Sequence, residues 1–281
     1  MKVRRFKGRI GHPDHGFGYL PDPKDHRYSG FHAHPASKMQ ALADASSVDE
    51  YAPPIWDQDG TASCLGHGTA GAITTTFAAR GLALRCPVDP AATYKLARAI
   101  DRVNAEDPLR DVGAYPNSMV RALGLWGLVL EDEGSGRSAA APDYELYLSE
   151  HVNDELKLGV LEAAHDRPQP DFNALDGTGT VLRDQVCAAI DAGYAVMGAV
   201  EAGSPTFQNF NGFGILTYCG DEPDHWVYFT KQRLVNGERQ IFLRNSWGTG
   251  LWTPDGCAWC GEDFITRGLF NCLILNPRSF Q

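Results

Sequence analysis

Apolar residues along this chain change their spacing about two thirds of the way through. In the first part they recur at helical intervals. Leu65, Gly66, Gly68, Ala70, Gly71, Ala72, Ile73 and Phe77 form a small, apolar run that predicts one deeply buried helix, capped by Ser63 and stopped at Gly81. Leu96, Ile100 and Val103 share a face over 93–103, and Val120, Leu123, Gly124 and Gly127 follow Asn117 or Ser118, either of which can cap a third helix. Tyr144, Leu148, Val152 and Leu156 predict another, and Leu182, Val186, Ala189 and Ile190 one that ends at Gly193. From there the pattern becomes that of strands, at 195–200, 214–218, 226–230 and 240–243, in one antiparallel sheet or barrel.

Asn236-Gly237 reads as a two-residue hairpin turn between the last two of these strands. An unbroken ladder from that turn sets His225 and Asn245 on opposite faces of the sheet, because the side-chain period is two. If these two residues act together, a bulge or an asymmetric loop must correct the register.

Between the patterned segments, 132–142 reads as a flexible loop, and 167–180, with its Pro and Gly, as the crossing from the helical part to the strands. The first 50 residues are rich in Gly, Pro and His and read as an arm packed on the domain. His12, His15, His26, His32 and His34 invite a metal reading, but Pro13 breaks any helix there and no cysteine joins them, so incidental histidines are expected.

Composition narrows the class. The 281 residues are 43% hydrophobic and 21% charged, ample for a core. A formal charge of −10 disfavours nucleic acid or an anionic membrane as a partner, since an acidic surface gains nothing from counterion release. Neither a transmembrane stretch nor a signal-peptide core is evident, so the expected setting is cytoplasmic or inside a larger particle. The seven cysteines form an odd set without a compact disulfide framework, which fits a reducing environment.

The candidate chemistry sits at the start of the first helix. Cys64 falls in its first turn, where free amides and the helix dipole favour a thiolate, and Gln58 lies six residues ahead. Downstream, His225 opens an apolar strand in Pro223-Asp224-His225-Trp226-Val227-Tyr228, and Arg244-Asn245-Ser246-Trp247-Gly248 closes the next. Gln before Cys, then His, then Asn-Ser-Trp-Gly, in this order, resembles the papain-like cysteine peptidases. Pro53-Pro54-Ile55-Trp56-Asp57-Gln58 and the segment beginning Tyr19-Leu20-Pro21 are similar to bacterial-type members, while Thr61, Ala62 and Leu65 depart from the commonest signature around the cysteine, as in a divergent branch.

The resemblance implies an α+β, papain-like fold with a helical lobe at 51–166, an antiparallel β-barrel-like lobe at 167–281, and the active site in the cleft between them. It implies Cys64 as nucleophile, His225 as general base and later acid, Asn245 as the group orienting the imidazole, and Gln58 with the Cys64 amide as oxyanion hole. Trp247 would shield the His–Asn hydrogen bond, and Asp224, Trp226 and Trp247 would border the bound substrate. Trp226 stands where the family has a small residue lining a specificity pocket, so restricted specificity or a non-peptidase acyl substrate is expected. The reaction would be hydrolysis of a peptide or protein substrate with no cofactor and no metal.

Two other functions remain consistent with these residues. One is a cell-wall peptide amidase or acyl transferase of the same fold. The other is a non-catalytic binding or assembly component on the same scaffold, favoured if Cys64 is unreactive or if the arm fills the cleft. His67 lies on nearly the same helix face as Cys64 and is expected to be core. Cys257 and Cys260 have redox or zinc spacing, but on a strand they face opposite ways and are expected to be structural.

Overall fold

A computed structural model describes residues 17–21, 41–82, 84–102, 108–141, 143–167 and 169–276. In chain order the elements are β1 (Ala45–Ser47), α1 (Cys64–Ala79), α2 (Pro90–Ile100), α3 (Pro116–Trp126), α4 (Tyr144–His151), α5 (Leu158–His165), β2 (Phe172–Ala174), α6 (Gly179–Asp191), β3 (Val196–Val200), α7 (Pro205–Gln208), β4 (His225–Val235), β5 (Glu238–Arg244), β6 (Cys257–Cys260), α8 (Glu262–Arg267) and β7 (Phe270–Leu275). The five histidines of the N-terminal arm lie outside the described residues.

Helix α1 is the hub. Every residue from Cys64 to Phe77 except Thr74 is buried. Its small residues let neighbours approach: a Cβ added at Gly68 or Gly71 would come within 2.8 Å of the Trp226 indole or 2.7 Å of the Tyr228 ring, both on β4. Leu65 and Ile73, fully buried, each contribute roughly 1.5–3 kcal/mol of burial. Ser63 occupies the N-cap position but does not cap. Its hydroxyl is taken by Thr61 Oγ1 at 2.7 Å and His67 Nδ1 at 3.1 Å.

The other helices begin where proline sets the backbone. Helix α2 starts at Pro90, with the Asp89 carboxylate accepting from the Ala92 amide, and α3 starts at Pro116 with Tyr115 at its N-cap, so Asn117 and Ser118 lie inside the helix. Gly81 and Gly193 follow α1 and α6 with φ of 73° and 88°, as expected of helix stops.

The strands form a sheet in the order β2-β7-β3-β4-β5-β6, with β1 pairing the far half of β4 beside β3. All these pairings are antiparallel. The sheet is open, which corrects the barrel-like closure expected for this half of the chain. The expected strand at 214–218 is absent; Leu216 alone makes a bridge, to Cys260.

Register at the β4–β5 hairpin decides the site. Asn236 and Gly237 have φ of 52° and 85°, the two left-handed residues of a type I′ turn, and Val235 pairs with Glu238. The ladder shifts between Phe229 and Lys231, so that Tyr228 faces Arg244 where an unbroken ladder would set it against Asn245. This bulge is the correction the sequence demanded: it returns His225 and Asn245 to one face. The bulged Thr230 is anchored by its hydroxyl on Asp49, at 2.7 Å, and its carbonyl accepts from the Val48 amide.

Candidate active site

The front of α1 is held by a short polar turn. The Gln58 amide nitrogen donates to the Thr61 carbonyl at 2.8 Å, and its oxygen accepts from the Ser246 hydroxyl at 2.6 Å. The Gln58 backbone N–H reaches the Ser246 carbonyl, which ties the approach to the cysteine directly onto the segment after β5. On the other side both Asp111 carboxylate oxygens accept from the Ala62 N–H at 3.0 and 3.1 Å, and Asp111 also accepts the Tyr94 hydroxyl at 2.8 Å. Asp111 was not marked by any spacing in the sequence; its role depends on a contact 49 residues away.

His225 and Asn245 come together. Nε2 of His225 lies 2.7 Å from Asn245 Oδ1, and both side chains are buried. With Asn245 Oδ1 as acceptor, Nε2 carries the proton and the tautomer leaves a lone pair on Nδ1. Trp247 covers the pair, its ring 4.8 Å from the imidazole, and Phe207 meets both at 6.3 and 5.5 Å. Trp252 stacks on Phe207 at 4.6 Å. The Asp224 carboxylate accepts from the Ala202 and Gly203 amides, so its side chain braces a loop, whereas its backbone carbonyl faces the arm.

Cys64 is fully buried, and burial pushes its thiol up to about 12, above the ordinary value. The backbone amides of Trp226, Gly18 and Leu65 near the sulfur oppose this shift, while the Asp224 charge adds to it. The lowered pKa expected from the helix start is therefore reversed in this state, because desolvation outweighs the amides. The Trp226 amide, one residue after His225, brings the imidazole's strand to the thiol.

What excludes water is the arm. Residues 17–21 lie across the site: the Tyr19 N–H donates to the Asp224 carbonyl at 3.3 Å, the Leu20 N–H to the Ala114 carbonyl at 3.1 Å, and the Ala114 N–H to the Gly18 carbonyl at 2.9 Å. Phe17 meets His225 and Trp247 edge-on. Gly18 passes where nothing larger fits, since a Cβ there would stand 1.6 Å from the Ala62 carbonyl oxygen. The thiol thus faces an amide donor of the arm, a group it cannot attack. The sequence signal for this was slight, an aromatic-Gly-aromatic triplet.

His67 is core. Its Nδ1 is bonded to Ser63, its ring packs against Trp56 and Tyr144, and burial lowers its pKa to about 4. Cys257 and Cys260 are buried on β6, and all seven cysteines are free thiols. No group of three His, Cys, Asp or Glu suited to a metal occurs among the described residues. Among those residues no helix is long and apolar enough to cross a membrane.

Xylellain, a cysteine protease from Xylella fastidiosa, superposes with a TM-score of 0.71 over 93% of this chain and 96% of its own, at 19% identity. The fold is papain-like. Digestive procathepsin L 3 of Tenebrio molitor larval midgut gives 0.61 over 88% of this chain and 74% of its own, at 16% identity. The Carica candamarcensis cysteine protease CMS1MS2, solved with E-64, gives 0.59 over 84% and 99%, also at 16% identity. Neither a family model nor a curated protein sequence matches the chain.

Proposed function

We propose that this papain-like chain hydrolyses peptide or amide bonds through a thiol acyl-enzyme. The observation that carries the reading is the packing of α1, one turn after Cys64, against Trp226, next to a His225 whose Nε2 is held by Asn245. In this reading Nδ1 of His225 takes the thiol proton and Sγ attacks the substrate carbonyl. The oxyanion is met by the Cys64 N–H and by the Gln58 side-chain amide, which Thr61 and Ser246 hold in place. His225 then protonates the leaving amine, and a water activated by the same imidazole releases the acyl group. The aromatic cover over His225 and Asn245 keeps that hydrogen bond dry, where it is strongest.

The arm in the cleft supports a second reading, a non-catalytic component whose site permanently holds its own N-terminal segment. One variant, Gly18→Ala, separates the two. With the arm seated, iodoacetamide labelling of Cys64 is expected to be slow at pH 7 and to rise about tenfold per pH unit, as the raised thiol pKa requires. Gly18→Ala should drive the arm out, because its Cβ collides with a backbone carbonyl. Fast labelling below pH 8 in Gly18→Ala, abolished by His225→Ala, together with peptide turnover abolished by Cys64→Ala, is the result a hydrolase gives. Slow labelling with an ordinary thiol profile in Gly18→Ala would select the binding role.

A further inference from the structure

The bulge in β4 needs a hold, because a strand free to slip by one residue returns to the unbroken ladder and turns its side chains to the other face. Asp49 supplies it from far away in the chain. It stands two residues after β1, at the head of a single 3-10 turn, Asp49–Tyr51. Its carboxylate is grasped from both strands of the hairpin. From β4 it accepts the Thr230 hydroxyl at 2.7 Å and the Lys231 ammonium at 2.9 Å, and from β5 the Arg244 guanidinium at 2.9 Å.

Arg244 is buried, and its guanidinium is committed on three sides. Nη1 meets Asp49, Nε donates to the Tyr228 hydroxyl at 2.9 Å, and Nη2 donates to the Pro53 carbonyl. Each partner leads to a different part of the site. Tyr228 packs against Gly71 of α1, the helix that Cys64 opens; Pro53 begins the run to Gln58; and Asn245 is the next residue after Arg244. The Arg244 side chain is 9% exposed and that of Asp49 19%, so the pair is largely shielded from water, where leaving one partner alone is costly. Burial works to raise the Asp49 pKa, but hydrogen bonds from Lys231 and Thr230 and the charge of Arg244 outweigh it and hold the carboxyl below its ordinary value. The clamp is therefore charged at neutral pH.

We infer that Asp49 is a positioning residue: by clamping the β4 bulge to Arg244 it sets His225 and Asn245 on one face and ties that face to the segment carrying Gln58. Its part in a reaction rests on the hydrolase reading above; its part in holding the His225–Asn245 pair does not. Asp49 acts on the imidazole through the strand. Its loss should free the His225 Nε2–H from Asn245 and leave the thiol without a placed base.

The test uses the full chain and two readouts, one of which needs no reactivity. With Gly18→Ala to clear the cleft, iodoacetamide labelling of Cys64 is followed against pH with Asp49 intact, in Asp49→Asn and in Asp49→Ala. Asp49→Ala should abolish fast labelling below pH 8. At pH 6.5 the rate should fall about a hundredfold, the ratio of an ion-paired thiolate to the thiolate fraction of an ordinary thiol with pKa about 8.5. Asp49→Asn keeps an acceptor for Thr230 and should lose less. Separately, with Gly18 intact, proton NMR follows exchange of the His225 Nε2–H with water. It should be slow in wild type, faster in Asp49→Asn, and as fast in Asp49→Ala as in Asn245→Ala, while the α1 backbone amides keep their wild-type rates.

Fast labelling that persists in both Asp49 variants would overturn the positioning role and leave the hydrolase standing. A His225 proton that exchanges in Asp49→Ala as slowly as in wild type, or only together with the α1 amides, would overturn it whatever the labelling shows. Slow labelling in Gly18→Ala with Asp49 intact would refute the hydrolase, and the exchange series would then decide: the stated order retains Asp49 as the residue that sets the pair, and wild-type exchange in both variants sinks it. Should Asp49→Ala fail to fold, Asp49→Asn decides by the same criteria.

Discussion

Around Cys64 the bracing is polar and directional, whereas around His225 it is aromatic and close-packed. On the cysteine side, Gln58, Thr61, Ser63, Asp111 and Ser246 fix the backbone through individual hydrogen bonds, each to a named atom. On the histidine side, one hydrogen bond to Asn245 is enclosed by Phe207, Trp247 and Trp252, which supply volume and exclude water. The difference suits the roles proposed above: a nucleophile and its oxyanion donors need their positions set, which hydrogen bonds do well, whereas the His225–Asn245 bond gains strength from being kept dry.

The largest expected effect breaks the aromatic side. Trp247→Ala removes a fully buried indole and should destabilise the fold by about 3–5 kcal/mol in denaturant titration. A loss below about 1 kcal/mol would show that the cage carries little of the packing. The next tests the polar side through pH. His67 is buried neutral with a pKa near 4 against 6.5 when unfolded. Between those values the unfolded chain holds a proton that the folded chain lacks, so stability falls as pH falls through that window, by up to roughly 3 kcal/mol. Glu131, raised to about 7 chiefly by burial, acts with the opposite sign over pH 4.5 to 7. Comparing wild type with His67→Phe across the range therefore isolates the histidine; a constant difference between them would contradict its assignment as a buried neutral group.

The smallest expected effect sharpens the comparison. Asp111→Ala leaves the Ala62 N–H and the Tyr94 hydroxyl without their acceptor and should cost about 1–3 kcal/mol. Asp111→Asn retains an acceptor and should recover part of that loss. Equal losses in the two variants would mean that charge, and not the directed bond, holds the turn.

The same contrast explains what could be read in advance. Helix α1 announces itself by composition, and the bulge in β4 follows from a turn and two residues that must share a face; both are local patterns or simple parity. The starts of α2 and α3 were misplaced because Pro90 and Pro116, with Asp89 capping α2, outrank the apolar periodicity. The segment 214–218 looks extended in composition, yet Gly214 at φ 89° interrupts it and Leu216 alone bridges. Xylellain and the other structures agree with the fold that the family resemblance implied. Asp111 and the seating of Phe17, Gly18 and Tyr19 were not legible, because each acts across a long stretch of chain through a contact that only the assembled core creates.

The Asp111 bond to Ala62 has a practical consequence. It secures the loop ahead of Cys64 with a carboxylate–amide bond and not with a disulfide bridge, all seven cysteines being free thiols. A strong reductant would open a bridge but leaves a carboxylate–amide bond unaltered. Dithiothreitol at any useful concentration can therefore guard the Cys64 sulfur against oxidation without loosening the loop that aims it.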